Sequence, residues 1–477
     1  MAGSDHYENL VVGSGEGGKY LAWHLARQGQ RTAVIERKMV GGSCPNTNCL
    51  PSKNEIWSAK VADLAAHADR FGSMTGPFRI DMARVLARKT AMVDELVAIH
   101  HTLFRTSGAE LIMGTARLTG PKTLSVALND GTERALTTDR LFLNIGTHAA
   151  IPDIKGLRAS APLTNVEALE LGRLPEHLIV IGGGYVGLEL AQAFRRFGSA
   201  VTILQTGPRL AAREDKEIGA LLLELMEDEG IEVHLSAQIK TVSGRSGEGV
   251  TIEVELPDGM RTLSGSDILV ATGRVPNTSG IGLEHAGVDT DRHGYIAVND
   301  RLETTAANVW AIGECAGSPQ FTHASMDDFR VIRDNLTGNA RSTRDRMMPY
   351  CMYTDPPLAR IGLSEEEAIR DGLKVRVARI PTASVLRSRT ISETRGFLKA
   401  VIGEDDRVLG FTMIGPEAGE VMTVVQMAMT GDLPYKALAN AVIAHPTMAE
   451  GLNVLFSSPL LSRDSEPGLE PMSASGR

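Results

Sequence analysis

The chain has 477 residues, enough for about three domains of ordinary size. Its 43% apolar and 22% charged residues are those of a folded globular protein and exclude a disordered chain. With 49 basic against 58 acidic side chains, a net charge of −9 and only 4% aromatics, it lacks any whole-surface attraction for nucleic acid or anionic lipid.

The N-terminal MAGSDHYENLVVG has no basic region before an apolar stretch, so no targeting segment is expected. Asn9–Val12 reads as a strand, GSGEGG as a turn, Leu21–Ala26 as a helical pattern, and Thr32–Ile35 as a second strand ending at Glu36. That is a βαβ unit. Residues 44–70 read as mainly helical, and a second helix runs from about Met82 to Phe104. Strand-like LIMGTARL and LFLNIG follow, separated by the turn NDGTER, and PDIKG near 152 marks a boundary.

The same architecture then restarts. Leu178–Ile181 is a strand, GGGYVG a turn, Leu188–Phe197 a helix and Val201–Leu204 a strand. A second boundary falls near ATGRVPNT. From about Met347, strands such as PYCMYTD and VRVARI alternate with helices such as SEEEAIRDG, an α+β pattern. The last dozen residues read as a disordered tail. No run is long enough to span a membrane, since LIVIGGGYVGLEL is broken by glycines and Glu189, and a reducing, cytoplasmic setting follows.

Gly13, Gly15 and Gly18 form G-x-G-x-x-G after a strand and at the opening of a helix. The first glycine permits the tight turn, the second lets backbone approach a pyrophosphate, and the third lets helix pack on strand. The helix N-terminus then faces the phosphates. Glu36, ending the next strand, is placed to bond a ribose hydroxyl. The second copy is Gly182, Gly184 and Gly187, but its second strand ends at Gln205, where a ribose-binding acid is absent. Arg209 and Arg213 follow; they either meet a 2′-phosphate, which leans the coenzyme towards NADPH over NADH, or are solvated surface charges. Two fingerprints imply two dinucleotides, read as one bound flavin and one exchanging nicotinamide.

Of four cysteines, too few for a disulfide scaffold, Cys44 and Cys49 are five residues apart in GGSCPNTNCLPSK. Five positions of a regular helix advance about 500°, or about 140° net, so the two would diverge. They meet only if the backbone is irregular at a helix start, which Pro45, Asn46 and Asn48 suit. A thiol at a helix N-terminus has a lowered pKa. The readings are a redox-active disulfide, a pair of inert thiols or a zinc site; the last lacks two further ligands nearby, and no metal is assigned. Cys315 and Cys351 read as core residues.

These motifs, with AIGECAG and HPTMAE, resemble the flavin-dependent pyridine nucleotide–disulfide oxidoreductases, a family that includes glutathione reductase, dihydrolipoamide dehydrogenase and mercuric reductase. The resemblance covers about residues 7–457. It implies an α/β chain of two Rossmann-like domains plus an α+β dimerisation domain: FAD domain 1–151 and 278–346, NAD(P) domain 152–277, interface domain 347–463, and the tail 464–477. Cys44 matches the thiol that attacks the substrate, Cys49 the thiol beside the flavin, Lys53 the lysine near the flavin N5 and Glu189 its ion-pair partner. Tyr185 matches a residue gating the nicotinamide pocket. Glu314 stands in the place of an aspartate that holds the ribityl chain. Gly146, Gly273 and Gly313 join the cofactor-binding set. His445, oriented by Glu450, matches the acid–base that reaches the cysteines of the other subunit of a homodimer; read alone, it is a surface or packing histidine.

Mercuric reductases of this type carry a C-terminal vicinal cysteine pair, and no cysteine follows Leu461. A small-molecule disulfide is therefore the expected substrate. The alternatives are dihydrolipoamide, for which the acid expected at Gln205 is missing, and a metal ion.

Overall fold

A computed structural model describes residues 5–463; the tail expected from 464 lies outside the described residues. The first strands are β1 (Asp5–Val12), β2 (Thr32–Glu36), β3 (Glu110–Gly120), β4 (Thr123–Leu128) and β5 (Glu133–Leu143), with helices α1 (Glu16–Arg27), α2 (Ser43–Asn46), α3 (Cys49–Ala66) and α4 (Met82–Ser107). β1 lies between β2 and β5, parallel to both; β3 extends the parallel sheet beyond β2, and Val309–Ala311 extends it beyond β5. β4 pairs antiparallel with β3 and β5. The centre is covered on both faces, which explains the unbroken apolar runs. Leu10 and Val12 pack with Ile35, Ile112 and Leu141, while Val11 packs with Val34, Phe142 and the α1 residues Leu21 and Leu25.

The design recurs. His177–Ile181 lies between Ala200–Leu204 and Asp267–Val270, all parallel, with Glu232–His234 beyond, and the helix Tyr185–Phe197 follows the glycine turn. An antiparallel trio, Gln238–Arg245, Gly249–Leu256 and Gly259–Gly265, accompanies this sheet as β3–β5 accompany the first. Both turns need glycine first for the same reason. Gly13 has φ +96°, and a Cβ there would sit 2.2 Å from Asn144 O; Gly182 has φ +113°, and its Cβ would sit 2.5 Å from Ala271 O.

The chain forms two compact units, one comprising the residues up to Leu210 with Leu225–Arg346, the other Ala211–Glu224 with the residues from Met347. The second unit holds a six-stranded sheet in the order Tyr350–Met352, Leu358–Gly362, Val408–Ile414, Phe397–Ile402, Val375–Pro381, Leu461–Arg463, each neighbouring pair antiparallel. Val421, Met422 and Val425 of helix Ala418–Thr430, with Leu452 and Leu455 of Gly451–Ser457, share its core with Phe411 and Ala400. Ala211–Glu224 is joined to the rest of this unit by ion pairs and a hydrogen bond: buried Lys399 lies 2.5 Å from both Asp215 Oδ2 and Glu217 Oε1, and Tyr350 OH donates to Glu214 at 2.8 Å. The mixed α/β class expected from the sequence is the class observed.

Phe411 is 1% exposed in the middle of this core. Phe411→Ala is expected to destabilise the second unit by about 3–5 kcal/mol, read as an earlier transition in urea denaturation followed by far-ultraviolet circular dichroism.

Candidate functional site

The two cysteine-bearing helices are separate elements. α2 ends after one turn, Asn48 takes φ −128°, ψ −102°, and α3 starts at Cys49. The break is held by its own polar groups. Thr47 N–H and Asn48 N–H donate to Ser43 O at 2.8 and 2.9 Å, and Asn46 Nδ2 donates to Gly42 O at 2.7 Å. Cys44 and Cys49, which an unbroken helix would splay apart, thus reach hydrogen-bonding contact as free thiols.

Their environments polarise the pair. Cys49 is lowered to about 6, chiefly by the hydrogen bond from Cys44, with further help from the Thr322 hydroxyl 3.1 Å from its sulfur and from the Lys53 charge, all against burial. Cys44 is pushed up, first by its hydrogen bond to Cys49 and then by burial. Near neutrality Cys49 is the thiolate and Cys44 the protonated thiol. Lys53 Nζ, one turn further along α3, lies 2.7 Å from Glu189 Oε2 of helix Tyr185–Phe197. Cys315 is fully buried, with burial raising it to about 11, and Cys351 packs against the core of the second unit.

The first glycine turn adjoins this loop. A Cβ on Gly42, two residues before Cys44, would lie 2.5 Å from Gly15 Cα. Gly15, the cap of α1, brings no side chain to the helix start, where Gly17 N donates to Ser325 Oγ at 3.1 Å. Buried Asn144 braces the turn, accepting from Gly18 N at 3.1 Å and donating to Ile312 O at 2.9 Å. Glu36 accepts from Ser14 N at 3.0 Å and from Lys38 N at 2.9 Å, holding the strand end against the turn.

In the second copy Gln205 repeats that gesture, its Oε1 accepting from Gly183 N at 2.8 Å. Gly184 caps the helix whose first residue is Tyr185, and a Cβ on Gly187 would strike Gly182 O at 2.0 Å. Arg209 is half-buried, and Arg213 is exposed in the second unit. Gly146 and Gly273 lead into a short antiparallel pair, Thr147–Ala149 with Arg274–Pro276. Gly313 N donates to buried Asp328 at 2.7 Å. The next residue, Glu314, meets Arg274 Nε at 3.1 Å and the Thr147 hydroxyl.

His445 and Glu450 lie in the second unit. His445 Nδ1 is 2.9 Å from Glu450 Oε2, and the histidine side chain is 60% exposed. A carboxylate at Nδ1 orients the ring and favours the tautomer with its proton there.

Two glycine turns on parallel sheets beside a polarised dithiol define a dinucleotide-dependent redox protein. Residues 7–328 match the pyridine nucleotide-disulphide oxidoreductase family, and residues 348–455 match the dimerisation domain of that family. The chain belongs to the pyridine nucleotide–disulphide oxidoreductases, enzymes that work with FAD and a nicotinamide cofactor. It is 34% identical over 458 residues to the probable pyridine nucleotide-disulfide oxidoreductase RclA of Escherichia coli, covering 94% of this chain and 99% of that one. It is also 34% identical over 452 residues to a mercuric reductase of Streptomyces lividans (94% and 95% covered) and 30% identical over 444 residues to a dihydrolipoyl dehydrogenase of Geobacillus stearothermophilus (93% and 94% covered). The solved structure of the Cu(II) complex of the HOCl-induced flavoprotein disulfide reductase RclA from Escherichia coli aligns with TM-score 0.86 at 33% identity, covering 95% of this chain and 99% of that one. No helix among the described residues is long and apolar enough to cross a membrane. Within the dimerisation stretch, Met427, Leu433 and Val442 are exposed.

The residues fit FAD. A Cβ at Gly13, Gly15 or Gly18 would strike Asn144, so the turn into α1 carries no side chain, and Glu36 closes the strand end beside it; a bare turn of this kind on a parallel sheet is what a dinucleotide pyrophosphate needs.

Sequence reading missed Asn144, Thr322, Asn165 and Glu55. Asn144 was signalled by a polar residue closing an apolar strand. Thr322 and Asn165 act on the cysteine loop from far along the chain and left no local signal. Glu55 is 3% exposed, its Oε1 has no partner, and burial, against the Lys89 charge, raises it to about 7.

Two outcomes follow. In Cys44→Ala, Cys49 loses its main donor, and its alkylation by iodoacetamide should titrate above about 6. The proton on Glu55 stabilises the fold fully below the unfolded carboxyl pKa, near about 4.3; that stabilisation fades as pH rises through about 7. Glu55→Gln should therefore flatten the fall in melting temperature between pH 5 and 8 that the unaltered protein shows.

Proposed function

We propose that the protein is an NAD(P)H-dependent disulfide reductase acting on a small-molecule disulfide. The observation that carries this reading is the Cys44–Cys49 contact across a broken helix, with one thiol lowered and the other raised. Bound FAD supplies the two-electron link between the nicotinamide and the cysteine pair. Gly13, Gly15, Gly18, Glu36, Gly146, Gly313 and Glu314 would hold it, and Lys53, anchored by Glu189, would offer it a positive charge. Gly182, Gly184, Tyr185, Gly187, Gln205 and Gly273 form the nicotinamide side. Gln205 brings no carboxylate to repel a 2′-phosphate, so NADPH is the coenzyme we favour.

Cys44 is the attacking sulfur. Its raised pKa makes a base necessary, and His445 of the partner subunit, held by Glu450, takes that proton. The Cys44 thiolate then breaks the substrate S–S bond, forms a mixed disulfide and expels one thiolate, which the imidazolium protonates. Cys49, already a thiolate, attacks the Cys44 sulfur, expels the second half of the substrate as a thiolate that takes its proton from solvent, and closes the Cys44–Cys49 disulfide. The chain as a homodimer in the cytoplasm, where reduced nicotinamide is available, suits this cycle.

A metal ion is the second reading, favoured by one finding. The Escherichia coli relative was solved as a Cu(II) complex, and a thiolate–thiol pair is a soft ligand set.

The test is turnover of NADPH and NADH with a panel of disulfides, dihydrolipoamide, Cu(II) and Hg(II). Cys44→Ser should retain normal FAD content and lose at least about 100-fold in disulfide turnover, the scale of removing a nucleophile. Full turnover in that variant would eliminate the scheme, and activity confined to Cu(II) would select the second reading.

A further inference from the structure

The Thr47 carbonyl has no helical partner. The residue four positions on is Pro51, which carries no N–H. The missing donor comes from a distant part of the chain. Asn165 Nδ2 donates to Thr47 O at 2.9 Å and to Asn48 Oδ1 at 2.8 Å, so both of its protons go to the break between the two cysteine helices.

Asn165 is itself fixed. Thr164 and Glu167 form a capping box around it, with Thr164 N donating to Glu167 at 2.8 Å. Further along the same strap, Glu170 takes Lys89 Nζ of α4 at 2.5 Å, and Lys89 is 2% exposed. The strap 164–170 is thus tied at one end to the cysteine loop and at the other to a buried lysine.

We propose that Asn165 is a positioning residue for the Cys44–Cys49 pair: its amide holds the helix break in the form from which the disulfide closes, and so sets the thiol–disulfide equilibrium. The proposal rests on reading the pair as redox-active. Closing an S–S bond demands Cα atoms about 4.4–6.8 Å apart and a defined dihedral angle. A dithiol already held near that arrangement gives up less conformational freedom on closing. Releasing the break leaves the dithiol free to separate and weakens the disulfide.

The experiment equilibrates FAD-loaded protein in glutathione buffers of graded ratio, traps thiols with an alkylating agent, and quantifies the Cys44 and Cys49 peptides by mass. The balance is two protein thiols plus glutathione disulfide giving the protein disulfide plus two glutathione thiols; two electrons and two protons pass to glutathione. Asn165→Ala should shift the equilibrium towards dithiol about tenfold, equivalent to about 30 mV for a two-electron couple. Asn165→Asp keeps the shape but offers only acceptors, and should shift it the same way, whereas a pure packing role would spare it. Asn48→Ala removes one of the two acceptors and should shift less, adding little on top of Asn165→Ala. Wild-type equilibria in both Asn165 variants, with FAD retained, would overturn the proposal even if their melting temperatures fell. A wild-type protein that forms no Cys44–Cys49 disulfide at any ratio would instead overturn the redox reading on which the proposal stands.

Discussion

Everything proposed for this molecule depends on one interruption of helical hydrogen bonding, at Thr47–Asn48. A regular helix would place Cys44 and Cys49 on different faces. The interruption brings them together and makes Cys49 the first residue of an eighteen-residue helix. It also creates orphan backbone groups, and each one discussed above has a partner: Ser43 O takes two N–H groups, and Thr47 O takes the amide of Asn165. The polarity of the pair follows from the same geometry. Cys44 donates, Cys49 accepts, and Thr322 and Lys53 add to the side already favoured. Burial opposes the thiolate, and the hydrogen bonds and charge together outweigh it.

The two dinucleotide turns are one solution used twice with a single change of charge. In each, the first glycine lies against the backbone just beyond the neighbouring strand, and a side chain at the end of the next strand accepts from the N–H that follows this glycine. Glu36 does this in the first copy and Gln205 in the second. The backbone service is identical, and what differs is the electrostatic field presented to a ribose: anionic in one case and neutral in the other. This gives a physical reason for expecting different nucleotides at two turns of the same shape.

Much of this was legible in the sequence because it is local. The βαβ periodicity, the glycine spacing and the acid at Glu36 each occupy one short stretch, and the strands and helices formed where those patterns lay. The need for an irregular backbone at Pro45–Asn48 was likewise legible from the angular arithmetic of five helical residues. What was hidden is long-range. Asn165 looks like an ordinary residue after a cap, and nothing near it announces a bond to Thr47. Thr322 reaches Cys49 across 273 residues of sequence. Glu314, expected from its motif to serve a cofactor, is paired with Arg274 and Thr147, an engagement set by the strand pairing of Thr147–Ala149 with Arg274–Pro276. The packing of Ala211–Glu224 with the C-terminal sheet was invisible for the same reason, since its partners Lys399 and Tyr350 are far along the chain.

The most direct test of the central claim is to map thiols before and after one equivalent of NADPH is added anaerobically to the oxidised, FAD-loaded protein. Alkylation with a mass tag is expected to go from absent to complete at Cys44 and Cys49 together, with Cys315 and Cys351 unchanged between the two samples. Oxidation of the NADPH with no new thiol at either Cys44 or Cys49 would contradict it.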